Sequence, residues 1–385
     1  DYIWLESSQT WQQIASIASS TELTLSATST IAGSGQTSAR GKSNFQASEQ
    51  LQVDGSNYIV ISNTGDSAIA TAKIDGSWTS PDTAAAGSTI DGWTTTSTNY
   101  IKIYTTTAAR HNGKWDTSKY RIQRTSGNTG ITIFENYVRI EGLQIGFTNN
   151  STAGRRGIHV STIDAGGSRI YIDNNIVRAL DLASSTASHS GIQVNDTDAT
   201  VIARNNIVYD FIIAGVGGNG YVVSAGLLYL YNNTAYNNYN GISRTGGGDP
   251  FIKNNISYNN TDNYSNSGIY SASSTNNLSG PTQTDAPGSN PQNAVTVTFV
   301  DEVNDDFHLA PTDASAKNNG TDLSSDPNGF AFTDDIDGQT RSGSWDIGAD
   351  EFVNTAPNAP VSLGQYQSGC SSSISTSTYW IATST

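Results

Sequence analysis

Leu227-Leu228-Tyr229-Leu230-Tyr231-Asn232-Asn233 is a short β-prone run closed by paired asparagines, and 22 residues on it returns as Phe251-Ile252-Lys253-Asn254-Asn255. Further pairs stand at Asn174-Asn175, Asn205-Asn206 and Asn276-Asn277, so the steps along the chain are 31, 27, 22 and 22 residues. Recurrence at intervals above about 20 residues marks stacked units, because one such unit cannot bury its apolar face alone.

Each unit can be read piece by piece. The runs before the pairs, such as Arg169-Ile170-Tyr171-Ile172-Asp173 and Val201-Ile202-Ala203-Arg204, are too short for helices and rich in β-branched and aromatic residues. A second apolar run follows each pair, beginning at Ile176, Ile207, Thr234, Ile256 and Leu278. The asparagines therefore occupy a corner, and asparagine tolerates the left-handed backbone a corner needs. A glycine before a bulky residue signals a third strand at Gly157-Ile158, Gly191-Ile192, Gly220-Tyr221, Gly241-Ile242 and Gly268-Ile269. Three short strands per turn, stacked in parallel, define an all-β, right-handed parallel β-helix solenoid. Ile158, Ile192, Tyr221, Ile242 and Ile269 should stack in one inward column, and the asparagine amides in another, bonded to the coils above and below. Open stack ends call for N- and C-terminal caps.

Composition fits a thin core wrapped in many turns, with 35% hydrophobic and 14% charged residues. The net charge of −15 argues against nucleic acid or an anionic membrane surface as partner. No apolar stretch approaches the length of a membrane span. The single cysteine, Cys370, excludes an internal disulfide framework. Absence of methionine suggests a mature or excised piece, and Ser/Thr/Asn enrichment with low charge suggests an extracellular setting, secreted or on the cell surface.

Four stretches follow: 1–128 as N-terminal cap and irregular first coils, 129–285 as regular coils, 286–353 as last coils and C-terminal cap, and 354–385 as linker and extended tail. Asp306-Phe307-His308-Leu309-Ala310-Pro311, Asp335-Ile336-Asp337-Gly338-Gln339 and Trp345-Asp346-Ile347-Gly348-Ala349-Asp350-Glu351-Phe352 together resemble the closing segment of bacterial parallel β-helix surface proteins. The asparagine corner is similar to the ladder of pectate-lyase-like folds. Across residues 100–353 that resemblance implies the fold, and a tail that ends the solenoid before an anchor or further extracellular repeats. It does not select an activity, since lyases, hydrolases and plain surface proteins share the architecture.

A solenoid presents its side chains in columns at one-coil intervals, and a site would be built from them. The column His159, Gln193, Val222, Ser243 and Tyr270 holds no carboxylate pair of the kind glycoside hydrolysis uses. Arg244 and Lys253 with Asp249 between them form the best basic cluster for a lyase-type proton abstraction. A further column reads Asp173, Arg204, Tyr231, Lys253 and Thr275, and another Arg178, Tyr209, Tyr236 and Tyr258. Tyr209, Tyr231, Tyr236 and Tyr258 could serve as sugar-stacking platforms, while the charges suit cross-coil pairing. No motif demands a cofactor. Asp335 and Asp337 have the look of a Ca2+ loop without its later ligands, and His111, His159, His189 and His308 show no metal-ligand spacing.

Two functions from different classes remain. One is a structural or adhesive extracellular protein, a cell-surface stalk or filament subunit whose partners are polysaccharide or neighbouring copies of itself, joined through the tail strand Thr378-Tyr379-Trp380-Ile381-Ala382. The other is a polysaccharide lyase or glycoside hydrolase working in a groove along the coils.

Overall fold

A computed structural model describes residues 70–353, apart from short stretches at 84–87, 94, 125–128, 149–153, 162–166, 168, 183–185, 214, 248 and 266–269, together with the backbone of strands between residues 2 and 59. The tail strand and the rest of 354–385 lie outside the described residues, as does Ile269. The chain is an all-β parallel β-helix. One sheet stacks the runs after the corners, from Ile122–Arg124 and Gln144–Thr148 to Leu278–Gly280. A second stacks the runs before the corners, including Ile101–Thr105, Val138–Glu141 and Arg169–Asp173. The third stacks the glycine-led runs, including Ile131–Ile133 and Arg156–Val160. Two long strands, Ser190–Arg204 and Asn219–Tyr231, pass from the third sheet into the second without a break.

The inward column runs in register through Ile131, Ile158, Ile192, Tyr221, Ile242 and Tyr264, none more than 2% exposed. Among the described residues its last member is Tyr264, on Asp262–Ser265. In that coil Asn263 stands where the preceding coil has Gly241. Elsewhere that glycine is demanded by space. A Cβ at Gly130, Gly157 or Gly220 would stand 2.5, 2.5 and 2.6 Å from the carbonyl oxygen of the next glycine in the column.

Each asparagine pair divides its work. The first residue takes the left-handed corner, with φ of 57° at Asn174, 52° at Asn205, 52° at Asn232, 56° at Asn254 and 52° at Asn276. The second points inward and is buried. Its amide donates to the next: Asn175 to Asn206 at 3.0 Å, Asn206 to Asn233 at 2.9 Å, Asn233 to Asn255 at 3.1 Å and Asn255 to Asn277 at 3.0 Å. The remaining amide hydrogen reaches back to the preceding coil, as from Asn206 to the Ile172 carbonyl at 2.7 Å. A second, shorter ladder sits at the opposite end of the same strands, from Asn238 to Asn260 at 3.0 Å and Asn260 to Asn263 at 2.9 Å. Its sequence signature, Asn237-Asn238 and Asn259-Asn260, repeats at the same 22-residue step.

After the last coil, residues 295–352 do not stack as further coils. They run along the flank of the solenoid, over the first-position asparagines. Asn174 donates to Asp334 at 3.0 Å, Asn205 to the Asp334 carbonyl at 2.9 Å, Asn232 to the Asp346 carbonyl at 2.9 Å, Asn254 to the Thr321 carbonyl at 2.8 Å and Asn276 to the Asn319 carbonyl at 2.8 Å. The segment expected to end the stack thus also braces it from the side.

Asn206→Ala should lower the unfolding free energy by about 2–5 kcal/mol in urea denaturation, because it strands the buried Asn175 N–H and Ile172 carbonyl inside the stack. A loss below about 0.5 kcal/mol would mean that the ladder does not hold the coils.

Candidate functional site

The flank segment meets the coils through the columns that sequence reasoning set aside for chemistry. Arg178, Tyr209, Tyr236 and Tyr258 are indeed in register. Tyr236 stacks on Tyr258 with ring centroids 6.3 Å apart, and Phe299 and Phe307 cover the row, Phe307 lying 4.9 Å from Tyr209 and 4.8 Å from Tyr236. Tyr209 is 1% exposed. On the other side of the corner Tyr231 is fully buried in a cluster with Leu323, Phe330, Phe332 and Trp345. The four tyrosines chosen as sugar platforms are thus the docking surface of the chain's own flank segment. Burial and the Asp326 carboxylate push the Tyr231 hydroxyl's pKa up, so it stays a neutral hydrogen-bonding group.

Lys253 is likewise withdrawn from the proposed basic cluster. Its ammonium lies 2.9 Å from Asp326, whose side chain is fully buried, and 5.2 Å from the Tyr231 ring centroid. Arg244 and Asp249 do pair, at 3.7 Å, with the carboxylate 73% exposed. Such an exposed pair is worth at most about 1 kcal/mol. In the same column as Lys253, Asp173 and Arg204 join across adjacent coils at 2.9 Å, as the cross-coil reading anticipated.

Most acids of the flank segment act as acceptors for backbone N–H groups. Asp313 takes those of Thr298, Ser315, Ala316 and Lys317. Asp335 takes those of Asp337, Gln339 and Glu351 at 3.0, 2.7 and 3.2 Å, closing a turn at Gly338. Fully buried, Asp335 spends its carboxylate on forming this turn. At the centre sits Arg341, its side chain fully buried, which donates to Glu351 at 3.2 Å, to Asn205 at 3.0 Å, and to the carbonyls of Asp334, Gly348 and Ala349 at 3.1, 3.0 and 2.9 Å. A planar fork with five donors suits that site where an ammonium would not.

Asp337 faces elsewhere. His308, Asp337 and Asp350 offer one nitrogen and two carboxylate oxygens that all lie within 4.8 Å of one another. The His308 ring turns Nδ1 to Asp306 and Nε2 to Asp337, the latter at 3.0 Å. Burial opposes its charge, but hydrogen bonds to Asp306 and Asp337 outweigh burial and hold its pKa at about 11. Burial raises Asp350 to about 7, against the pull of His308. Sequence spacing concealed this group, since its members come from three separate pieces of the flank segment. Its only local trace is Asp306-x-His308, in which the acid orients the ring.

His111 lies beside this group. It is 2% exposed, donates from Nε2 to the Asn174 carbonyl at 3.0 Å and accepts at Nδ1 from Gly113 N–H at 3.3 Å, so the ring is neutral. Burial, helped by the Arg110 charge, lowers its pKa to about 3. Asparagines of the two ladders that fall in glycosylation triplets, Asn255, Asn263 and Asn277, are fully buried and closed to modification. No helix among the described residues is long and apolar enough to cross a membrane. In comparisons with known proteins, no family model and no curated protein matches the chain.

Lys253→Ala should destabilise the fold by about 3–5 kcal/mol, since it leaves the Asp326 carboxylate buried without its cation. Asp249→Ala, which removes the exposed partner of the Arg244 pair, should cost less than about 1 kcal/mol in the same chemical denaturation. Comparable losses for the two variants would contradict the burial argument. For His111 the folded pKa is depressed, so its contribution is fully present above the ordinary value of 6.5 and is lost as pH falls toward 3. Stability curves of the native chain and His111→Gln should therefore diverge across that window and run parallel above it. Parallel curves throughout would show that folding leaves the His111 pKa unshifted.

Proposed function

We propose that the chain is an extracellular structural protein, a stalk or filament subunit of the cell surface, in which the solenoid acts as a rigid spacer. The observation that supports this reading most directly is the lengthwise brace. Five successive corner asparagines, from Asn174 to Asn276, are tied to one flanking segment, so the polar and aromatic columns of two faces serve stiffness. A groove for a polysaccharide along those corners would have to displace the segment, including the Lys253–Asp326 pair. With the four tyrosines beneath it, polysaccharide binding loses the platform on which it was expected, and neighbouring copies of the chain become the favoured partner. The resemblance of the flank sequence to the closing segment of bacterial β-helix surface proteins supports the same reading.

Electron microscopy of the purified chain at near-physiological salt should show rods joined end to end, and removal of residues 361–385 should leave single rods. Unchanged assembly after that deletion would remove the tail as the joint. Dispersed rods from the intact chain, coupled with depolymerisation of an acidic polysaccharide, would overturn the structural reading.

A further inference from the structure

The group formed by His308, Asp337 and Asp350 has features that an internal ion-pair network does not require. Asp337 Oδ1 is shut off from solvent and has no hydrogen-bond partner, although its sister oxygen meets His308. A buried carboxylate oxygen with no donor is costly, by about 1–3 kcal/mol or more, and native folds rarely leave one so. Asp350 is 5% exposed and gives Oδ2 to the Leu309 N–H at 2.7 Å. The opposite wall is backbone. Gly113, at φ +70°, comes down so closely that a Cβ there would collide with both His308 Nε2 and Asp337 Oδ1.

Charge points the same way. Asp306, Asp337 and Asp350 surround a single imidazole. The nearby cations are engaged in other ways: Arg110 with Glu141 and the Ile336 carbonyl, both at 3.5 Å, Lys114 with Asp306 at 3.4 Å from a half-exposed position, and Arg341 with Glu351 and carbonyl oxygens. The His308 ring is thus the positive charge that serves the two carboxylates, and a metal ion would take the place of its Nε2 proton.

We propose that His308 Nε2, Asp337 and Asp350 form a binding site for a divalent transition-metal ion of the zinc type, which fastens the strand Asp306–Leu309, the turn at 335–339 and the closing residues 346–352 to one another. One imidazole with two carboxylates suits Zn2+ and its neighbours in the first transition row, whereas Ca2+ takes an all-oxygen shell. Asp306 would then be a positioning residue. It receives Nδ1–H, fixes the ring, and leaves Nε2 as the ligand, the usual arrangement behind a metal-bound histidine. Gly113 acts as a wall that excludes any side chain from the site. The remaining coordination positions would be filled by water.

The test uses the full chain without an affinity tag, stripped with a chelator and then titrated with Zn2+ by calorimetry. A single saturable equivalent is expected, together with a higher unfolding temperature in Zn2+. Asp337→Asn and Asp350→Asn, which keep size and hydrogen-bonding reach, should abolish that equivalent. Asp306→Asn should weaken it by about 10- to 100-fold without removing it. Circular dichroism reports whether each variant folds. Where one does not, the native chain still decides the matter, because among its four histidines His308 should show the largest ring-proton NMR shifts on adding Zn2+, with only a smaller response from neighbouring His111. No saturable uptake, unaltered affinity in Asp337→Asn, or shifts confined to the other histidines would each overturn the proposal.

Discussion

The buried asparagine ladder is the constraint from which the rest of the fold follows. A fully buried amide carries two donors and an acceptor with two lone pairs, and leaving any of them empty costs about 1–3 kcal/mol. Only a column of identical amides, one per coil and each held at the same height, fills them all. This fixes where the chain must turn. The residue before each ladder member has to adopt the left-handed region, which an ordinary side chain resists and asparagine accepts, so the corner becomes a pair. Once the corner is fixed in every coil, the runs on either side fall into register. The hydrophobic column and the close glycine contacts then have little freedom left.

The same pairing creates the seat for the flank segment. Since the ladder member points inward, its neighbour in the left-handed conformation points outward, and five outward amides make a regular row of donors along one edge. Residues 295–352 have little regular secondary structure of their own and so carry many backbone groups in need of partners. Their carbonyls take the asparagine donors, and their own aspartates take the N–H groups. Aromatic contacts do the rest, with Phe299 and Phe307 on one face of the corner and Phe330, Phe332 and Trp345 near the other. Arg341 joins the two systems, because it bonds a corner asparagine and the segment's carbonyls from one guanidinium.

The sequence makes the coils legible because coil formation is local. Runs, corners and glycines each leave a signature within a few residues, and the expected in-register columns at Asp173/Arg204/Tyr231/Lys253 and Arg178/Tyr209/Tyr236/Tyr258 are present. What covers a column is not local. Tyr209 and Phe307 are nearly a hundred positions apart, and nothing in either neighbourhood announces their contact. For the same reason Lys253 looked like a partner of Asp249, four residues away, when its partner is Asp326. Tyr264 in the inward column shows a different limit. A Gly-Ile pair is a weak signal, and the second ladder, through Asn263, sets the register there.

A stack of coils in contact only with their neighbours is quasi-one-dimensional, and its end coils can open one at a time. The flank segment changes that. It bonds directly to the corners at Asn174, Asn205, Asn232, Asn254 and Asn276, so the last coil cannot peel away without releasing a segment that also holds the coils below it. Release in turn requires exposing or stranding the Lys253–Asp326 and Arg341–Glu351 pairs, both buried, together with the aromatic cover of two faces. Breaking one partner of such a buried pair costs several kcal/mol, whereas an exposed pair such as Arg244–Asp249 adds little. The polar residues that matter are therefore the buried ones under the segment. They couple the separate coils, so that the stack and its flank segment should unfold as one cooperative body.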